Sequence, residues 1–143
     1  MSASAGRSEL NNPKTGMTHA EMNEFIRNQF EEFANRKDLR IGEVNFATDF
    51  VDHGADVPPG LPPGPAGAIQ CVGEALKKVP DMRVRIEDLI AEDDKVVVRN
   101  HWMGTHAASG QRVEFSGIVI WKIANQQIVE RWACLENPHV ARS

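Results

Sequence analysis

The sequence predicts an α+β domain in which N-terminal helices pack on a strongly curved, mostly antiparallel sheet. Three observations carry this. Apolar residues recur at three- and four-residue steps over 18–33 and again over 66–79, they alternate with a period of two through most of Arg83 to Glu136, and the helical stretches come first in the chain. A twisted sheet that curls over helices leaves a cone between the two layers, so Arg83 to Glu136 is the expected wall of a cavity.

Composition bounds the function. With 143 residues, 41% hydrophobic and 25% charged, the chain is long enough for one core, expected over 17–143. A net charge of −4 and the lack of a Lys/Arg cluster argue against a nucleic-acid partner. No apolar run approaches the roughly 20 residues that cross a bilayer, and the N-terminus has no apolar segment of the secretion type, so the expectation is a cytoplasmic protein with no membrane partner. Cys71 and Cys134 form no CxxC pair and read as small buried apolar residues. His19, His53, His101, His106 and His139 include no set at zinc spacing, so no metal is expected.

In chain order, Met1 to Gly16 is polar and without period, a tail that is mobile by composition unless packing on its own domain or a neighbouring subunit holds it. Thr18-His-Ala-Glu21 is a capping box, in which the Thr18 hydroxyl accepts from the N–H of position 21 and Glu21 reaches back to the N–H of Thr18. Met22, Ile26, Phe30 and Phe33 then give the helix one apolar face. Leu39 to Phe46 predicts a short second helix, and Asp49 to Gly54 reads as extended and turning. Asp56 to Gly67 holds five prolines and three glycines, which makes a stiff exposed loop suited to the lip of a cavity. Gly60, Gly64 and Gly67 are no phosphate loop, because the prolines between them remove the backbone donors an anion needs. Ala66 to Val79 is the third helix, ended by Pro80.

Four strands follow, joined by turns at Ala91–Lys95, His106–Gln111 and Ala124–Gln127. Val96, Val98, Asn100 and Trp102 share the interior face of one, and Val113, Phe115, Gly117, Val119, Trp121 and Ile123 that of the next. Ile118 and Ile120 lie on the opposite face beside Glu114 and Lys122, a short apolar patch that predicts a homodimer through the sheet. In the last strand strict alternation puts Ile128, Glu130, Trp132, Cys134 and Glu136 on one face, so with Trp132 inside, Glu136 is inside as well.

Phe50-Val-Asp-His53, the Pro-Pro-Gly loop, Val84-x-Ile-Glu-Asp-Leu-Ile90, Val96-Val-Val-Arg99, Gly104-Thr-His106, Val113-Glu-Phe-Ser-Gly-Ile118 and Ile128-Val-Glu-x-Trp132 together resemble the SnoaL-like polyketide cyclase family. The resemblance implies the cone-shaped fold of nuclear transport factor 2 and a pocket whose base is an acidic residue near the end of the last strand. That position falls on Glu136, where members often have Asp, and Arg131 stands where they often have His.

The resulting expectation is a small-molecule enzyme that acts on an apolar or aromatic carbonyl compound by acid–base chemistry, without an organic cofactor. Ring closure of the aldol type needs a base for an activated methylene and donors for the enolate oxygen. Glu136 is the expected base, His53 and Asn100 the donors, and Phe30, Trp102, Phe115, Val119 and Trp132 the substrate contacts. The alternative is a module of the same fold that binds a ligand or assembles without catalysis.

Overall fold

A computed structural model describes residues 10–141. The capping box forms as expected: Glu21 N–H donates to Thr18 Oγ1 at 3.1 Å and Thr18 N–H to Glu21 Oε1 at 2.9 Å, opening α1 at His19–Gln29. The helix widens into a π-helical segment, Phe30–Asn35, which presents Phe30, Phe33 and Ala34 to the core. It also brings Asn35 to the edge strand, where its side chain accepts from Val84 N–H and donates to Val84 C=O, covering strand valences otherwise open to another chain.

The second helix, α2, is only Ile41–Asn45, because Phe46 already begins a strand, β1 (Phe46–Asp52). The stretch expected to be extended and turning is thus a sheet member. Helix α3 is Pro65–Lys78, with proline at its first turn where no helical N–H is lost. The remaining strands are β2 (Arg83–Glu92), β3 (Lys95–Thr105), β4 (Arg112–Ala124), β5 (Gln127–Leu135) and the two-residue β6 (His139–Val140). Their order is β1-β5-β4-β3-β2, with β6 on β4; β1 runs parallel to β5 and the other pairs are antiparallel. Four strands were legible, and the structure adds β1 and β6.

The core lies between α1 and the concave face, where Met22, Ile26, Val96, Val98, Ile123 and Ile128 are fully buried. Burial of each stabilises the fold by about 1.5–3 kcal/mol. On the outer face Ile118 is 46% exposed and lies opposite Cys134, itself exposed and not buried as its residue type suggested. Cys71 is partly buried.

The expected tail divides. Residues 1–9 lie outside the described residues, whereas Thr15 is wholly buried and the turn around it is fastened to two hairpin tips. Asn125 and Gln126 donate backbone N–H groups to Lys14 and Thr15 C=O, and Lys14 Nζ meets Asp93 at 3.0 Å.

Candidate active site

The site is decided by a one-residue irregularity in β5. Ile123 pairs with Ile128 and Lys122 with Glu130, so Val129 has no partner: it is a β-bulge, and a bulge reverses the alternation beyond it. Arg131, Ala133 and Leu135 therefore turn inward, opposite Trp121, Val119 and Gly117, while Glu130, Trp132, Cys134 and Glu136 turn outward. The expectation from strict alternation is corrected here.

Arg131 is the polar centre of the inner wall. Its Nη1 donates to both oxygens of Asp52, at 2.9 and 3.1 Å, and to Asp56 Oδ1 at 3.2 Å, while Nη2 donates to Asp56 Oδ2 at 3.0 Å. The Arg131 and Asp52 side chains are 13% and 17% exposed, and that of Asp56 is 34% exposed. Burial by itself lowers the Arg131 pKa, and the Asp56 hydrogen bond and the charges of Asp52 and Asp56 outweigh it, so the net shift is upward and the guanidinium stays charged. It also lies over the Trp121 ring, 5.7 Å from its centroid. Two carboxylates share this one cation, so the cluster carries an excess negative charge at an otherwise apolar wall.

Chain geometry explains the meeting. Asp52 ends β1, and with Phe50 buried the period of two turns Asp52 inward with it. Asp56 begins the proline loop, which returns to β1 through Gly64 N–H donating to Phe50 C=O; Gly64 has φ +73° and runs against the Thr48 backbone, so only glycine fits without strain.

The cluster borders a cavity of about 160 Å³ whose other walls are largely apolar, among them Phe30, Phe33, Phe46, Phe50, Trp102, Phe115, Val119 and Trp121. A second space of about 270 Å³ lies beneath the proline loop and shares Phe50, Asp52, Ala68 and Cys71 with the first. Burial, and after it the negative charge of Asp56, raises the Cys71 thiol above its ordinary pKa, so Cys71 faces this junction as the neutral thiol. Gln29, 2% exposed, lines the cavity with its Oε1 held by Asn45 Nδ2 at 2.6 Å. The indole N–H groups of Trp102 and Trp121 are buried and have no hydrogen-bond partner, each an omission that costs about 1–3 kcal/mol.

Of the residues singled out in the sequence, Phe30, Trp102, Phe115 and Val119 line the cavity. Asn100 is 1% exposed and faces inward, yet its amide makes no hydrogen bond and it does not line the cavity. Trp132 is on the outer face, stacked on His53 at 5.3 Å between centroids. His53 is turned away from the cavity, 42% exposed, with Nε2 donating to Glu130 Oε2 at 2.8 Å. That hydrogen bond comes first among the causes that hold Glu130 below its usual carboxylate pKa. Glu136, 49% exposed, accepts from Ser116 N–H at 2.7 Å and stands 3.8 Å from His139 Nδ1. Glu136, His53 and Asn100 thus share no cavity, while Asp52, Asp56, Arg131 and Gln29 were not singled out as site residues. The signal for Asp52 was present, since Phe50-Val-Asp alternates.

Among the described residues no group of three His, Cys, Asp or Glu is arranged to hold a metal ion, and no helix is long and apolar enough to cross a membrane. Comparison with curated proteins gives no match. Among solved structures the chain is similar to IdmH of Streptomyces antibioticus, described as "a putative polyketide cyclase", with 26% identity and a TM-score of 0.69 over 80% of this chain and 91% of that one. A "putative polyketide cyclase" of Bacillus cereus ATCC 10987 has 26% identity and a TM-score of 0.71 over 90% and 89%. AclR of Streptomyces galilaeus, "a putative hydroxylase", has 23% identity and a TM-score of 0.71 over 83% and 91%, a likeness of fold alone. The family model described as SnoaL-like polyketide cyclase matches residues 24–142. With helices closing a curved, mostly antiparallel sheet of the nuclear transport factor 2 type, the chain belongs to the SnoaL-like polyketide cyclase family.

Proposed function

We propose that the protein catalyses proton transfer at a carbon next to a carbonyl in an apolar small molecule, a step of the aldol-cyclase or isomerase type, at the Asp52–Arg131–Asp56 cluster. The observation that carries this is one guanidinium shared by two carboxylates on the wall of an apolar cavity. Asp52 is occupied on both sides, since it also accepts Gly54 N–H at 2.9 Å, whereas Asp56 accepts from Arg131 alone among the described residues. Asp56 therefore has the freer lone pairs and takes the proton, and Asp52 orients Arg131.

The C–H bond breaks, its proton passes to the Asp56 carboxylate, and its electron pair moves through the new C=C onto the carbonyl oxygen. An enolate so formed is stabilised by the Arg131 charge. Return of the proton to another carbon gives the isomer; attack of the enolate carbon on a second carbonyl forms the ring bond, and the proton goes to the new alkoxide. The apolar walls exclude water from the carbanion-like carbon.

The test is proton–deuterium exchange at the benzylic carbon of phenylacetone in D2O, followed by NMR. Exchange above the buffer rate, abolished by filling the cavity with Ala75→Phe, is the expected result; exchange at the buffer rate with phenylacetone, and with other arylketones of that size, counts against it. Ala75 lines the cavity and makes none of the hydrogen bonds of the cluster. A second reading, ligand binding without turnover, is favoured by Arg131 already engaging both carboxylates, which would make the cluster a clasp between the proline loop and β5.

A further inference from the structure

We infer that Gln29 orients the ligand of the cavity: its side-chain Nε2 donates to the carbonyl oxygen of a neutral, largely apolar molecule. The inference rests on the cavity being a small-molecule site and names the group that holds the molecule there.

The position of Gln29 is the first observation. Met22, Ile26 and Gln29 are the buried residues of α1, at steps of four and three, so an amide stands where the helix pattern calls for an apolar side chain. A buried amide is tolerated when its polar atoms are matched. Asn45, the last residue of α2, matches one half of it, donating from Nδ2 to Gln29 Oε1 at 2.6 Å. An NH2 group can only donate, so this bond takes the oxygen and fixes which way round the Gln29 amide lies. The Nε2 end is left over, with no acceptor among the described residues.

Where that end points is the second observation. Unlike the indole Nε1 atoms of Trp102 and Trp121, which the wall seals off, Gln29 Nε2 keeps accessible surface. The residue is 2% exposed and lines the cavity, so its open surface lies on the cavity. Arg131 is engaged by two carboxylates and Cys71 offers only a weak S–H donor, so Gln29 supplies the neutral donor of an otherwise largely apolar wall.

Charge narrows the ligand. The Asp52–Arg131–Asp56 cluster on the same cavity already carries an excess negative charge, which disfavours a carboxylate and leaves a neutral acceptor such as a ketone. The volume of about 160 Å³ is close to the roughly 150 Å³ of an apolar protein cavity that binds benzene. A single ring with a small acyl group is therefore a suitable probe.

The experiment is an NMR titration of the side-chain NH2 signals in 15N-glutamine-labelled protein, with the Gln29 signal identified as the one that Gln29→Met removes. Gln111, exposed in its turn, is the internal control. The probes are acetophenone, α-methylstyrene, which replaces the carbonyl oxygen by CH2 at the same shape, and benzoate. Acetophenone is expected to move one Gln29 Nε2 proton downfield and leave Gln111 still. It should bind about fivefold more tightly than α-methylstyrene, the value of one net hydrogen bond, and more tightly than benzoate. Gln29→Met, which keeps the length of the side chain and removes the donor, should erase the preference for acetophenone over α-methylstyrene.

Equal affinity for acetophenone and α-methylstyrene in the parent protein would overturn the assignment without recourse to any variant. So would a Gln29 signal that ignores acetophenone, or a preference that survives in Gln29→Met. Benzoate bound as tightly as acetophenone would overturn the restriction to neutral ligands. An absence of phenylacetone exchange with the acetophenone preference intact counts against the proton-transfer reading and leaves this assignment standing, whereas failure of every probe to bind removes the cavity as a site and this inference with it.

Discussion

Ile128 and Arg131 face the same interior although three positions separate them on one strand, because Val129 between them has no partner on β4. The bulge lets a fully buried apolar side chain anchor the start of β5 while a cation enters the cavity wall further along. It also sends Trp132 outward to stack on His53. The candidate site exists on account of that one unpaired residue.

Arg131→Met should destabilise the fold by about 3 kcal/mol, because it leaves two partly buried carboxylates facing each other without their cation. Adding Asp52→Asn and Asp56→Asn should restore most of the loss. Urea denaturation of the single and triple variants measures both, and an Arg131→Met midpoint equal to that of the parent would show that the cluster is solvated and does not hold the loop.

The His53–Glu130 pair makes a pH prediction. Glu130 is held below its ordinary value of 4.5, first by the hydrogen bond from His53. A carboxylate whose folded pKa is depressed contributes stability above its unfolded pKa and loses it as the pH falls through the folded value. The stability gap between the parent and Glu130→Gln should therefore be present near neutrality and shrink below about pH 4.5. A gap constant through that range would mean that the Glu130 charge adds nothing to the pair.

Much of the fold was legible because it rests on local rules: Thr18 and Glu21 cap each other, and Trp102 and Trp121 alternate inward as their strands require. The site was less so. Asp52 was visible in the alternation from Phe50, but histidine chemistry drew attention to His53, which the same alternation turns outward. No residue type marks Val129 as a bulge. It arises in a strand that also pairs with β1 in an uneven parallel register, from Phe46 with Ile128 to Val51 with Glu130, and that is a long-range property. Asp56 depends on how the proline loop returns to β1 through Gly64, and its reach to Arg131 is likewise invisible in sequence.

Asn100 gives a stability prediction of opposite sign. Its amide is buried with neither oxygen nor nitrogen bonded, so the apolar Asn100→Leu, close to it in shape, should raise stability by about 1 kcal/mol. Thermal unfolding reads this directly. A fall in Tm would reveal that the amide has a partner, such as a bound water.

The most direct test of the central claim sets two variants side by side in the phenylacetone exchange assay: Asp56→Asn in the cavity and Glu136→Gln on the outer face. Both keep shape and the ability to accept a hydrogen bond while removing a carboxylate. The expected result is a fall of about 10² or more for Asp56→Asn, the size of a general-base contribution, with Glu136→Gln within about twofold of the parent, since its side chain is 49% exposed and turned away from the cavity. A large loss in Glu136→Gln with Asp56→Asn unaffected would contradict the account and return the chemistry to the end of the last strand.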